Sequence, residues 1–285
     1  MKETVDDVRK RVQAAQWNYA GNLREVEEIL LHERGFVFRA PHKAEDVMML
    51  CSGGLDSSVA MDIVFREWEP VVHPVYIKRG AKAEKFEEAA FDFFVELYGE
   101  RYPDLVANPI KIRCAIPSKD IKALIPEAYT QTIGHPLRNS SMQNRAVEYA
   151  VALNAKNDLR IRTILTGSVG EDKTEPELGL LSLRTQTLNT CVQMGDWEWQ
   201  VASPLTEPYI SSGMHRPICK TGLIRHAHAY SIPLEKTRTC FSGSKIADGT
   251  CHACVKRLAA FDYERMVDSL PYLERPEKYD REDLR

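Results

Sequence analysis

The stretch Val47-Met48-Met49-Leu50-Cys51-Ser52-Gly53-Gly54-Leu55-Asp56-Ser57-Ser58 constrains the fold of this chain more than any other. The apolar run from Val47 to Cys51 has the length and character of a buried parallel strand. Ser-Gly-Gly interrupts it. Asp56, Ser57 and Ser58 then open an apolar-periodic segment through Val59, Met61, Ile63, Val64 and Phe65. The order is strand, tight glycine loop, helix N-terminus. The glycines remove the Cβ atoms that would keep an anion from the backbone, and they permit positive φ. Unpaired N–H groups of the first helical turn converge on the same point, where the helix dipole favours negative charge. Ser52 and Ser57 add hydroxyl donors. Such a loop is built to hold phosphate; an ordinary turn capped by Asp or Ser is the plainer alternative.

The loop lacks the Gly-x-x-x-x-Gly-Lys-Ser/Thr spacing of kinase-type phosphate loops. It resembles the PP-loop, Ser-Gly-Gly-x-Asp-Ser, of the N-type ATP pyrophosphatases. That resemblance implies cleavage of ATP between its α and β phosphates, with AMP passed to a substrate oxygen.

The chain is large enough for a full core, with 285 residues and 44% hydrophobic content. A net charge of −3 gives no general case for nucleic acid or membrane as partner. Met1 to Asp7 has no apolar core of a signal peptide, and no run approaches the ~18 apolar residues of a membrane span. Seven scattered cysteines fit reduced thiols in a cytoplasmic protein better than a disulfide framework.

Residues 5–34 read as two helices, with Gly21-Asn22 as the break and Gly35 as the stop. From residue 46 strands and helices alternate, the sign of a parallel sheet. Further strands are expected at Val71–Ile77, Pro109–Ile116, Arg162–Thr166 and Gln200–Ser203, with helices at Ala83–Leu97 and Ser141–Asn154. The end from Pro271 to Arg285 is mostly charged and reads as a solvated tail. The expected organisation is a helical extension over 1–45, a nucleotide domain over 46–235, a metal lobe over 236–270 and the tail over 271–285.

Cys240, Cys251 and Cys254 supply the second constellation, a Cys-x-x-Cys knuckle with a third Cys a loop away. That is metal-ligand spacing for Zn²⁺; a redox pair would want a thioredoxin-like context, which is absent. The fourth ligand is open. Asp248 precedes Cys251 by three residues and would complete four anionic ligands, though oxygen suits a soft site less well than thiolate. His252 sits inside the knuckle, and water is a third option.

With both constellations in hand, the chain resembles the 7-cyano-7-deazaguanine synthases of the queuosine and archaeosine pathway, as a divergent member. The similarity covers most of residues 46–261. It continues through Val72-His73-Pro74-Val75-Tyr76, Pro136-Leu137-Arg138-Asn139, Thr166-Gly167-Ser168-Val169-Gly170-Glu171-Asp172, Ser203-Pro204-Leu205 with Lys220-Thr221-Gly222-Leu223-Ile224, and Cys254-x-x-Arg257 with Ala260-Phe261. It departs at Lys78-Arg79-Gly80, at Lys173-Thr174-Glu175-Pro176-Glu177, and at Asp248 in place of a fourth zinc cysteine. The resemblance implies an α/β fold: a Rossmann-like parallel sheet of the PP-loop, adenine-nucleotide alpha-hydrolase type, with a small C-terminal zinc-knuckle lobe. It also implies ATP, Mg²⁺ and Zn²⁺ as cofactors, and a deazaguanine acid with ammonia as substrates. Ser52, Gly53, Gly54, Leu55, Asp56, Ser57 and Gly167 would face the nucleotide. Lys220 is a candidate for phosphate charge or a surface lysine at a helix start. Arg138 and Asp172 are candidates for substrate contacts, and Asp172 is equally a candidate helix cap. The metal set would be Cys240, Asp248, Cys251 and Cys254. No glutaminase domain is visible, so ammonia would come from solution or a partner.

Three competing functions remain at this level. The adenylated acid could be captured by an amine of a protein or nucleic acid, which would suit the altered 173–177 loop and the helical extension. Another PP-loop chemistry, tRNA thiolation or amidation of a different acid, is a second; thiolation wants a reactive cysteine near the ATP site, and Cys51 lies in a strand. A non-enzymatic adenylate-binding module is the third, against which the intact Ser52, Asp56 and Ser57 argue. A homodimer is left open.

Overall fold

The structure, a computed structural model, describes residues 3–15, 19–132, 134–170, 177–207 and 217–276. Its centre is β1 (Asp46–Leu50), whose Val47, Met48 and Met49 are fully buried. A strand apolar on both faces needs cover on both, which only a central parallel strand receives. β1 pairs in parallel with β2 (Val71–Lys78) and with β4 (Thr163–Leu165). β3 (Ile110–Arg113) and β5 (Gln200–Ala202) extend the sheet outward in parallel, giving the order β3-β2-β1-β4-β5 among the described residues. The chain steps outward from β1 to β3, then crosses to β4 on the other side of β1. That reversal is a topological switch point, and its crevice opens at the carboxyl ends of β1 and β4.

The two faces are covered by different helices. α3 (Leu55–Glu67), α4 (Glu84–Arg101), α9 (Lys220–Ala229) and α10 (His252–Tyr263) share one core with Val47 and Met49, built on Phe65, Phe91, Phe94, Leu223, Ile224 and Phe261. α7 (Arg138–Asn157) and α8 (Leu180–Met194) share the other with Met48 and Ile164. Two short helices, α5 (Lys119–Lys122) and α6 (Glu127–Thr132), lie on the way from β3 to α7.

The N-terminal helices are α1 (Val5–Ala15) and α2 (Tyr19–Arg34), packed against α6 and α8 respectively. Gly21 and Asn22, expected as a break, lie inside α2. Packing against α8, with the Tyr19 hydroxyl accepting the Leu181 N–H at 2.8 Å, holds that first turn helical against its poor intrinsic propensity. Gly35 ends α2 with φ at +76° and an N–H bond to Leu31, as expected. The third strand is shorter than the apolar pattern promised, and α8 went unread. Its core-facing stripe carries Arg184, Gln186, Thr187 and Thr190, all buried, which hides a helical period. Among the described residues, no helix is long and apolar enough to cross a membrane.

Candidate active site and metal centre

The loop leaving β1 is held as a phosphate cradle requires. Cys51 still pairs with the carbonyl of Val75; Gly53 then turns at φ +69°. A Cβ on Gly53 would lie 2.5 Å from the backbone nitrogen of Phe91, so α4 excludes any side chain there as firmly as φ does. Gly54 caps α3 in extended backbone with no side chain bonding the first-turn N–H groups, which leaves those donors for a ligand. The serines bond locally: Ser57 Oγ accepts the Ser52 N–H at 3.2 Å and lies 3.3 Å from Ser52 Oγ. Leu55 points into the core, so its side chain is not a ligand group.

Asp56 projects from the first turn of α3 toward α9. Its Oδ2 accepts a 2.6 Å bond from Lys220 Nζ, across 164 residues of chain. Its Oδ1 is buried and has no hydrogen-bond partner among the described residues. One carboxylate oxygen is thus paired with a lysine, and the other could accept a cation. Gly167, in the loop after β4, lies against Ser57 so closely that a Cβ would meet the serine backbone at 2.9 Å. The same loop bonds the approach to α9 through the Gly170 N–H and the Ile218 carbonyl. Ser52, Gly53, Gly54, Asp56, Ser57, Gly167 and Lys220 therefore form one neighbourhood. Arg138 stands apart at the start of α7, where its N–H bonds Glu177 Oε1. Asp172 and residues 173–176 lie outside the described residues.

The metal centre lies in the segment after α9. Ligand atoms of Cys240, Asp248, Cys251 and Cys254 all fall within 4.8 Å of one another. Tetrahedral Zn–S bonds of ~2.3 Å place ligands about 3.8 Å apart, so the set fits a single small ion. His252 is not part of the cluster. Asp248 Oδ1 accepts the N–H groups of Thr250 and Cys251 at 3.0 Å, an ordinary turn cap. A carboxylate has two oxygens, so capping and metal ligation are compatible. Burial pushes the Asp248 carboxyl up, but the Cys251 N–H and the surrounding thiols outweigh it and hold it at about 2. Cys251 is drawn down to about 6, chiefly by the Cys254 thiol, while Cys254 is pushed up by donating that bond. Asp248 and Cys251 thus favour their anionic forms, and Cys254 its neutral thiol.

The described part of the chain beyond Pro271 keeps Leu273, Glu274 and Arg275 exposed, as a solvated end would, but it is tied back to the lobe. Leu273 N–H bonds the Ala247 carbonyl, and Tyr272 packs into the lobe with Cys240 and Cys254. Gly249, at φ +85°, admits this strap; a Cβ there would overlap the Glu274 carbonyl. Beneath it lies a pair that sequence reasoning missed. Arg257 is fully buried and all five of its donors are used, on Asp268, Thr237, Thr239 and the Leu234 carbonyl. The available signal was an arginine on the apolar face of α10, between Cys254 and Phe261. Asp268→Ala would leave that charge buried without its anion, and about 3–5 kcal/mol of stability is the expected loss, read by urea unfolding. Burial raises the Asp268 carboxyl, yet Arg257 outweighs it and holds it below its usual range. The pair's contribution is therefore present above the ordinary carboxylate range and is lost as pH falls through the depressed value.

Residues 46–265 match the family model described as "Queuosine biosynthesis protein QueC". The chain belongs to the QueC family. It is an ATP-using enzyme of the ligase/synthase kind. Curated QueC relatives include the 7-cyano-7-deazaguanine synthase of Acidobacterium capsulatum, 27% identical over 82% of this chain and 99% of its own length. That of Koribacter versatilis is 27% identical over 80% and 93%. That of Thermosynechococcus vestitus is 32% identical over 50% and 56%. Identities at this level mark a divergent QueC member. The extension formed by α1 and α2 lies before the matched region.

Proposed function

We propose that this protein adenylates 7-carboxy-7-deazaguanine and adds ammonia, giving the 7-amido and then the 7-cyano base. The observation that carries the reading is the Asp56–Lys220 contact. It joins the phosphate loop to the helix start expected to neutralise phosphate, with Asp56 Oδ1 left for a cation. A carboxylate resists ammonia at neutral pH because oxide is a poor leaving group. Attack of its oxygen on the α-phosphate forms an acyl–AMP anhydride and releases pyrophosphate. Ammonia then adds to the acyl carbon, AMP leaves, and a proton is lost, giving the amide. In the second half the amide oxygen attacks the α-phosphate of another ATP and releases pyrophosphate; loss of AMP and of both N–H protons leaves the nitrile.

The protein's own work is placement and charge compensation. The N–H groups of the first turn of α3 bind the pyrophosphate, Lys220 offsets its charge, and Ser52, which accepts the Gly54 N–H, fixes the loop with Ser57. Mg²⁺ beside Asp56 would supply further positive charge to the phosphates when bound. Zn²⁺ at Cys240, Asp248, Cys251 and Cys254 would be structural. Burial pushes the Cys51 thiol up, so the cysteine nearest the loop is no ready nucleophile for thiolation.

Incubation with radiolabelled ATP, ammonium and the acid tests this. AMP and pyrophosphate are expected, only when the acid or its amide is present, with the nitrile accumulating. ADP and phosphate as main products would exclude adenylation. A deazaguanine mass on a protein or nucleic acid, without nitrile, would move the acceptor to a macromolecular amine.

A further inference from the structure

The sheet-facing stripe of α7 changes character along its length. Ala146, Val147 and Ala150 pack on Met48 and Ile164, as a core helix should. One and two turns earlier the same stripe carries Gln143 and Asn139, with 3% and 8% of their surfaces exposed. Because α7 leads into a parallel strand, it runs against the strand direction, and its first turns lie over the carboxyl ends of β1 and β4. The phosphate loop leaves β1 at that same edge. The polar part of the stripe therefore sits at the switch-point crevice, and the apolar part sits on the sheet.

These amides are not satisfied. Among the described residues, eight buried side-chain polar atoms lack a hydrogen-bond partner, and four of them cluster here: His135 Nδ1, Asn139 Nδ2, Gln143 Oε1 and Glu177 Oε2. Each unmade buried bond costs about 1–3 kcal/mol. A purely structural helix start would be expected to replace such groups with apolar ones. The His135 ring lies within the fields of Lys122, Arg138 and Arg79, which together with burial hold it below its usual range. Lys122 at the end of α5, Arg79 just past β2 and Arg138 of α7 thus surround His135, with Arg79 also paired to Glu87 and the Arg138 N–H to Glu177. An unpaired amide donor and an unpaired amide acceptor on one helix face, with Arg138 beside them, match a planar heterocycle that carries a carboxylate.

We propose that the first two turns of α7 form the acceptor pocket, with Asn139 donating to, and Gln143 accepting from, the lactam edge of a deazaguanine acid. The acid's carboxylate then points out of the pocket toward the carboxyl end of β1, where the phosphate loop begins. This assignment rests on the adenylation reading above, and it names residues that reading does not need.

Calorimetric titration separates the two. The probe is 7-carboxy-7-deazaguanine, added to protein saturated with a non-hydrolysable ATP analogue. Asn139→Asp keeps shape and loses the donor; Gln143→Met keeps volume and loses the acceptor. Each is expected to weaken the acid by at least about tenfold, while the analogue's own Kd moves less than about twofold. Gln143→Met is also expected to melt at or above the wild-type temperature, because it removes an unpaired polar atom from the core. A structural role predicts the reverse: a lower melting temperature and an unchanged acid Kd. Unchanged acid affinity in both variants would overturn the pocket and leave the adenylation reading standing. Failure of the wild-type protein to bind the acid would end both.

Discussion

Asp56→Asn is expected to leave the fold intact and to lower kcat/KM by about 10²–10³-fold. Asparagine occupies the same volume in the first turn of α3, and its side-chain oxygen can still accept from Lys220. The change in stability should stay near 1 kcal/mol, as for other single polar contacts. The charge is what disappears. In the wild type, Oδ2 is held by Lys220 at 2.6 Å and Oδ1 is buried with nothing to bond. That pairing leaves the whole of Oδ1 for a cation, and an amide cannot hold a divalent cation as a carboxylate does. ATP affinity should therefore depend on Mg²⁺ in the wild type and lose that dependence in the variant. Full turnover in Asp56→Asn, or an unchanged Mg²⁺ dependence, would remove Asp56 from the role assigned to it.

Features written in contiguous residues were legible. Val47 to Ser58 specify strand, turn and helix start through their immediate neighbours alone, and the structure keeps that order. The Cys240, Cys251 and Cys254 spacing likewise closes over a short loop, so the cluster with Asp248 could be anticipated. What stayed hidden depends on partners distant in sequence. Arg257 meets Asp268 only because the chain turns back under the lobe. Tyr272 and Leu273 read as part of a charged tail because Ala247, which they pair with, gives no sequence signal. Gly21 and Asn22 read as a break on propensity alone, and packing against α8 overrode them. Asn139 was legible only as the end of the Pro136–Asn139 segment, and Gln143 gave no signal, for a related cause. A polar residue at a core position looks like a pattern error until its place over the switch-point crevice is known.

Metal content tests the C-terminal lobe, and the fourth ligand can be separated from the other three. Purified protein is expected to carry about one equivalent of zinc, since three thiols and a carboxylate within reach of one ion form a closed site. Asp248→Ala should lower retention against a chelator, whereas Asp248→Cys should preserve or raise it, because thiolate is the softer ligand. If water were the fourth ligand, both variants would hold zinc as the wild type does. Loss should also reach the nucleotide. Arg238 donates to the carbonyls of Ser242 and Ser244 at 2.5 and 2.8 Å, inside the loop that joins Cys240 to Asp248. Its guanidinium lies 4.8 Å from the Phe86 ring on α4, and its N–H bonds the Gly53 carbonyl at 2.8 Å. The metal loop and the phosphate loop therefore share one residue as their anchor. Stripping the metal frees the 241–247 loop, so Arg238 loses the carbonyls that hold it and Gly53 loses a fixed neighbour. ATP affinity should fall at least about tenfold on chelation and return when zinc is restored, the cost of one or two hydrogen bonds to a charged group. Arg238→Ala should reproduce the loss of affinity with zinc still bound. Freshly purified protein that is folded and free of metal would sink the metal centre; complete removal of zinc with ATP affinity unchanged would sink the link between the two loops.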